Sequence, residues 1–266
     1  MEKRELLNLS CLVAGVFIFN MSEFTPTGLM TSICDDLAVS ESDIGLIISV
    51  YAWLVAILAI PLMTLLKDME YRRLLLISIF LFAVFHVMTG LSDSYEMLFA
   101  SRMGVAVSHA IFWSSVVAIA VKVVSDEHRS IAIGSVSVGT AIALIMGMPI
   151  GRAIGLAVGW RMTFIVLALL AFLLIVLVLA VFPRVDNPGT FTVSRFPEIF
   201  ANKVLLGVYL LLFVRIDYII SKEGKISMLE VNTTPGMTAT SFIPQQVRAA
   251  GLSMTDVLTE IVENQF

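Results

Sequence analysis

Six apolar stretches, at about 7–30, 44–66, 74–91, 97–121, 131–151 and 162–182, set the terms on which this chain can fold. The hydrocarbon core of a bilayer is about 30 Å thick, so roughly 20 apolar residues in a helix cross it. Each stretch is of that order. Backbone N–H and C=O groups find no partner in lipid, which leaves helices as the way for such single segments to span. Composition points the same way, with 58% hydrophobic and 14% charged residues against about one quarter charged in soluble domains. Most of the chain is expected to be a multi-pass α-helical membrane protein whose surroundings are the lipid bilayer, with no nucleic-acid partner. The N-terminal MEKRELLNLSCLVAGVFIF begins like a signal peptide, but its apolar run is too long and no small-residue cleavage site follows it, so it reads as a retained first span. Cys11 and Cys34 fall near opposite ends of that span, roughly 30 Å apart at 1.5 Å per residue, and read as free thiols.

Lysine and arginine placement orients the spans. Lys3 and Arg4 precede the first span; Lys67, Arg72 and Arg73 lie in the second connection; Lys122 and Arg129 flank the fourth; Arg184, Arg195 and Lys203 follow the sixth. The first and third connections hold none, and Arg152 and Arg161 edge the fifth. The N-terminus and the even connections are therefore expected in the cytoplasm, as is the C-terminal tail. Residues 184–203, with Pro188, Gly189 and Pro197, read as a cytoplasmic linker. A seventh span begins at Val204 but stops after about 16 Å of helix.

The fifth span is rich in small residues, carrying Gly134, Gly139, Gly147, Pro149, Gly151 and Gly155. In lipid, glycines let a neighbouring helix approach closely, and adjacent helices absorb a proline break, so this stretch reads as a packing seam. Ionisable residues within spans are costly and point to function. Glu23 lies late in span one and Arg102 early in span four; they read either as parts of a polar substrate or proton path, or as interfacial residues reaching the headgroups. His86 and His109 are weaker candidates, since either can simply hydrogen-bond inside the bundle.

These residues carry a resemblance. Residues 1–213 resemble the N-terminal half of a major facilitator superfamily transporter, near its bacterial sugar- and drug-efflux branch. The stretch TLLKDMEYRRLLL, with Asp68, Arg72 and Arg73, is similar to that family's loop between spans two and three, although Thr64 and Tyr71 stand where glycines are usual. Arg102 matches the span-four arginine, Gly139, Gly147, Pro149 and Gly151 match the antiporter motif, and Gly159, Trp160 and Arg161 fit the start of span six. The resemblance implies a six-helix half-bundle over residues 1–183 and proton-coupled export of sugars or other small molecules across the inner (cytoplasmic) membrane. It further implies a transport path at Glu23 and Arg102, a cytoplasmic gate at Asp68, Arg72 and Arg73, and no cofactor. The family's substrate site lies between two six-helix halves. Its closure would take a second copy of the chain or a separate second half, and no transport is expected of this half alone.

The tail from residue 214 reads differently. VRIDYIISKEGKISMLEV alternates as a strand, and Glu223 with Gly224 can form a two-residue hairpin turn. That register sets Asp217 opposite Glu230 and Arg215 opposite Asn232 on one face, with Ile216, Tyr218, Leu229 and Val231 on the other. Two carboxylates and an amide oxygen suit Mg²⁺, though a solvated hairpin with incidental charge pairs has the same spacing.

LEVNTTPGMTATSFIPQQVRAAG resembles the C-terminal signature of D-alanine:D-alanine ligases of the ATP-grasp fold. That resemblance implies Mg²⁺ on Asp217, Glu230 and Asn232, charge stabilisation by Arg215, an oxyanion contact at Gly236, a substrate contact at Ser241, and ATP as co-substrate. Ser253 and Asp256 would start a terminal amphipathic helix. The nucleotide-binding and first-substrate parts of such a ligase have no counterpart upstream, so no enzyme activity is expected from the tail alone. The two resemblances meet inside an apolar run, the pattern of a rearranged or joined gene.

Overall fold

The structure, a computed structural model, describes residues 1–187 and, beyond them, the backbones of residues 215–220 and 226–232. Six helical segments are long and apolar enough to cross a membrane. The first is α1, Lys3–Gly28, which Glu2 starts by donating its N–H to Glu5 Oε2 at 2.9 Å. A short α2, Met30–Leu37, follows and ends where Ala38 turns left-handed at φ 53°. The second span is α3, Glu41–Leu65, opened by a capping box in which Asp43 N–H donates to Ser40 Oγ and Ser40 N–H donates back to Asp43 Oδ2. Such reciprocal caps satisfy donors that the first helical turn leaves over. Then come α4, Tyr71–Gly90, and α5, Tyr95–Lys122, the latter capped by Ser94 Oγ accepting from Met97 N–H at 3.3 Å.

The fifth span is built in pieces. A 3₁₀ turn at Asp126–His128 leads into α6, Arg129–Ile142; a π-helical turn at Ala143–Gly147 follows, and α7, Met148–Val158, completes the crossing. Pro149 explains the break, because it has no N–H for the backbone ladder, and the widened turn before it absorbs the mismatch. Proline is tolerated in the first turn of a helix, so α7 runs on past residue 151, where the sequence pattern predicts an end. Gly159, at φ 94°, then turns the chain directly into the sixth span, α8, Trp160–Val181.

The seam expected of span five is formed against α1. A Cβ on Gly147 would lie 3.2 Å from Met21 Cα, on Gly151 2.8 Å from Thr25 Oγ1, and on Gly155 2.4 Å from a Leu29 methyl. Each step of one helical turn along span five is matched by one along α1, as parallel helices in fixed register require. Gly139 meets Val13 and Val16. Gly134 meets nothing within 4 Å and lies off the seam. Elsewhere the core is aromatic: Phe19 of α1 stacks on Phe82 of α4 and Phe112 of α5, with ring centroids 4.4 and 3.9 Å apart. Both cysteines are buried and free.

The chain divides into two compact units, Met1–Phe191 and Thr192–Phe266. In the second, β1, Arg215–Ile220, pairs antiparallel with β2, Ile226–Asn232. Arg215 pairs with Asn232 and Asp217 with Glu230, in the register expected from the sequence. The register then slips between Asp217 and Tyr218, and Tyr218 pairs with Met228 rather than Leu229. One extra residue on β2 breaks the simple alternation, as a β-bulge does. The Glu223–Gly224 turn, the linker from Pro188 onward, the short seventh span, Gly236, Ser241 and the terminal Ser253–Asp256 helix lie outside the described residues.

Candidate functional site: a polar cleft within the bundle

Three helices bring polar side chains to one place. On α1, Asn20 and Glu23 are three residues apart and share a face; on α5, His109 and Trp113 are four apart and do the same. Together with Tyr51 of α3 they line a cavity of about 310 Å³. Tyr51 is buried, and its hydroxyl has no hydrogen-bond partner among the described residues.

Arg102 sits behind Tyr51. Its guanidinium carbon is 4.8 Å from the centre of the Tyr51 ring, within cation–π range. The side chain is 3% exposed and turned into the bundle rather than out to headgroups. Its Nη1 reaches Ser22 Oγ at 3.4 Å, and Ser22 Oγ lies 2.6 Å from His86 Nε2. The other ring nitrogen of His86 faces the Phe82 carbonyl at 2.7 Å. Among the described residues Glu23 forms no ion pair, with Arg102 or any other cation. His109 joins two helices, its Nδ1 3.1 Å from the Val105 carbonyl and its Nε2 3.1 Å from the Phe19 carbonyl. Both carbonyls only accept, and a neutral imidazole has one N–H to give.

Of the residues singled out from sequence, the structure thus gathers Glu23, Arg102, His86 and His109. Asn20, Ser22, Tyr51 and Trp113 were not anticipated, since uncharged side chains in an apolar run carry no burial cost large enough to mark them.

A family model for the Major Facilitator Superfamily matches residues 12–246. The chain belongs to that superfamily. Its fold is similar to a bacterial homologue of the human lysosomal transporter Spinster, solved inward-facing and unoccupied, with a TM-score of 0.63 at 17% identity over 79% of this chain and 52% of that one. It is also similar to the peptide transporter POT solved with sulfate, with a TM-score of 0.61 at 15% identity over 79% of this chain and 45% of that one. The chain spans about half the length of these structures. The family match runs through the paired strands, across the junction that the sequence placed at 213/214.

Within this major facilitator bundle, charged residues at the two ends make separate contacts. Among the loop residues expected to gate one end, Arg72 donates from Nη2 to the Leu179 carbonyl at 2.6 Å and thereby ties α4 to the end of α8. Arg73 pairs with Glu70 at 3.6 Å, and Glu70 Oε1 accepts the Val185 N–H at 3.2 Å. Asp68 forms no ion pair among the described residues. At the other end Arg161 pairs with Asp36 and donates from Nε to the Ser92 carbonyl at 2.8 Å. Its guanidinium carbon lies 4.4 Å from the centre of the Trp160 ring, and Trp160 Nε1 donates to Asp36 at 3.1 Å. The Arg161 hydrogen bond, aided by Trp160 and opposed by partial burial, holds the Asp36 carboxyl below the ordinary value of 3.8. Among the described residues no cluster of His, Cys, Asp and Glu is arranged to hold a metal ion.

Proposed function

We propose that this chain forms a half-bundle of a proton-coupled exporter of sugars or similar small polar molecules in the inner membrane. The observation that carries the reading is the cleft: a carboxylate, an imidazole and two aromatic rings around one cavity, with a buried guanidinium behind them. Aromatic faces and polar tips suit a sugar ring, which presents C–H faces and hydroxyl edges. Glu23, not paired with any cation among the described residues, is the group that exchanges protons with the cleft. Asp68, Arg72 and Arg73 form the gate at the cytoplasmic end; the π-turn before Pro149, with Gly139, Gly147 and Gly151, gives span five the close contacts along which it shifts. A second copy of the chain or a separate second half closes the cavity. The test is exchange of radiolabelled lactose by the protein in liposomes, with and without a pH gradient. Exchange that the gradient accelerates supports the reading; binding or exchange indifferent to the gradient removes proton coupling, and no exchange even with a separate second half supplied removes the sugar.

A second reading concerns residues 214–266. The pairing of Asp217 with Glu230 and Arg215 with Asn232 supports a magnesium-binding hairpin of the D-alanine:D-alanine ligase type. The family match across residues 214–246 stands against it. Magnesium- and D-alanine-dependent ATP hydrolysis is expected only when the missing upstream part of such a ligase is supplied, and is expected to vanish in Glu230→Gln. Hydrolysis that persists in that variant, or that no upstream part restores, ends this reading.

A further inference from the structure

Ser22 stands beside Glu23 on α1 and has no exposed surface. Every other buried serine among the described residues (Ser78, Ser92, Ser101, Ser108 and Ser115) donates its hydroxyl to a carbonyl three or four residues earlier in the chain. This back-bond is how a hydroxyl in a membrane helix satisfies itself without help from another helix. Ser22 instead contacts two other helices, α4 through His86 at 2.6 Å and α5 through Arg102 at 3.4 Å.

The direction of that chain follows from what each atom can do. The Phe82 carbonyl only accepts, so His86 Nδ1, 2.7 Å away, carries the proton and donates. The neutral ring then offers Nε2 as an acceptor. Arg102 only donates. The Ser22 hydroxyl therefore donates to His86 and accepts from Arg102, and each contact has one donor and one acceptor. With His86 protonated on both nitrogens, the Ser22 proton would lose its acceptor and a second positive charge would enter beside Arg102. The guanidinium also lies over the face of Tyr51, which holds it close without fixing its rotation. Glu23 and His109, the remaining ionisable groups at the cavity, make no hydrogen bond to Ser22.

We propose that Ser22 is the positioning residue of Arg102: its hydroxyl, aligned by neutral His86, holds the guanidinium against Tyr51 and away from Glu23, so that Glu23 exchanges its proton without forming an ion pair. This assignment rests on Arg102 belonging to the transport path. Two readouts test it on the whole chain. The first is nitrogen NMR of ¹⁵N-histidine-labelled protein in lipid nanodiscs at neutral pH, with the His86 signals identified by their loss in His86→Gln. A neutral Nδ1–H ring is expected, with an Nε2 signal that moves in Ser22→Ala; the opposite tautomer, or an Nε2 signal unmoved by Ser22→Ala, overturns the proposal. The second is lactose exchange in liposomes under a pH gradient. Ser22→Ala is expected to slow it about tenfold, the scale of one lost hydrogen bond to a charged group, whereas Ser22→Thr, which keeps the hydroxyl, retains most of the rate. Equal losses in the two variants overturn it. Absence of lactose exchange in the unaltered protein, alone and with a separate second half supplied, defeats the sugar-export reading instead, and the NMR result then decides the role of Ser22 by itself.

Discussion

Glycines in this bundle are not equivalent, and the difference is measurable. A Cβ on Gly104 would lie 2.2 Å from the Phe85 ring, whereas one on Gly134 would meet nothing within 4 Å. Gly104→Ala is expected to destabilise the protein by about 1–3 kcal/mol, the usual cost of overpacking, and Gly134→Ala to be neutral or to stabilise by up to about 1 kcal/mol through helix propensity; melting temperatures in detergent compare them. At the cleft, Glu23→Gln is expected to leave lactose exchange at equal pH intact while abolishing its acceleration by a pH gradient, and an unchanged response to the gradient would remove Glu23 from proton coupling. Arg102 and Glu23 were legible in the sequence because a charge in lipid is expensive enough to require a reason. Gly104 was not, because its importance depends on a ring brought in from another helix. Tyr51 and Ser22 were missed for the same cause.

At the scale of helices, one end of the bundle is tied together by Arg161, which links the α2 carboxylate of Asp36 to the Ser92 carbonyl just past α4 and to α8, its own helix. Since the Asp36 carboxyl is held below its ordinary value, the ionised form is the one that stabilises the fold. Its contribution is fully present above 3.8, the ordinary value, and is lost as pH falls through the lower, folded one. Asp36→Asn is therefore expected to melt below the unaltered protein at neutral pH, by no more than about 1 kcal/mol for so exposed a pair. The gap should close under strongly acidic conditions; a gap that persists there would mean that something other than this ion pair holds α2. Apolar length made all six spans legible. It carried span five through Pro149 but ended it near residue 151, beside the charge of Arg152, whereas the helix continues to Val158. The bulge on β2 was equally hidden, since alternation in one strand says nothing of an extra residue in its partner.

For the molecule as a whole, the arrangement of positive residues predicts sidedness. In a background with both cysteines replaced by serine, Glu127→Cys should react with a membrane-impermeant maleimide only in broken cells, and Asp93→Cys in intact ones. The reverse labelling would invert the bundle and place the Asp36–Arg161 pair in the cytoplasm. Neither result depends on transport. The outer surface of the bundle is consistent with lipid or a second bundle as neighbour: Trp53 and Leu65 on α3 are 70% and 78% exposed, which water would not favour.

The sequence by itself determined that this chain enters a membrane, how many times the described part crosses it, and where ionisable groups would have to be accommodated. Hydrocarbon thickness and the cost of bare backbone in lipid act on each segment separately, so each segment's own residues suffice to read them. Tertiary structure decided which polar atoms meet. Ser22 finds His86 and Arg102 because α1 is rotated about its axis to seat Met21, Thr25 and Leu29 against the glycines of span five while Phe19 stacks on α4 and α5. That rotation is set jointly by close packing on several neighbours, and no single helix contains the information that fixes it.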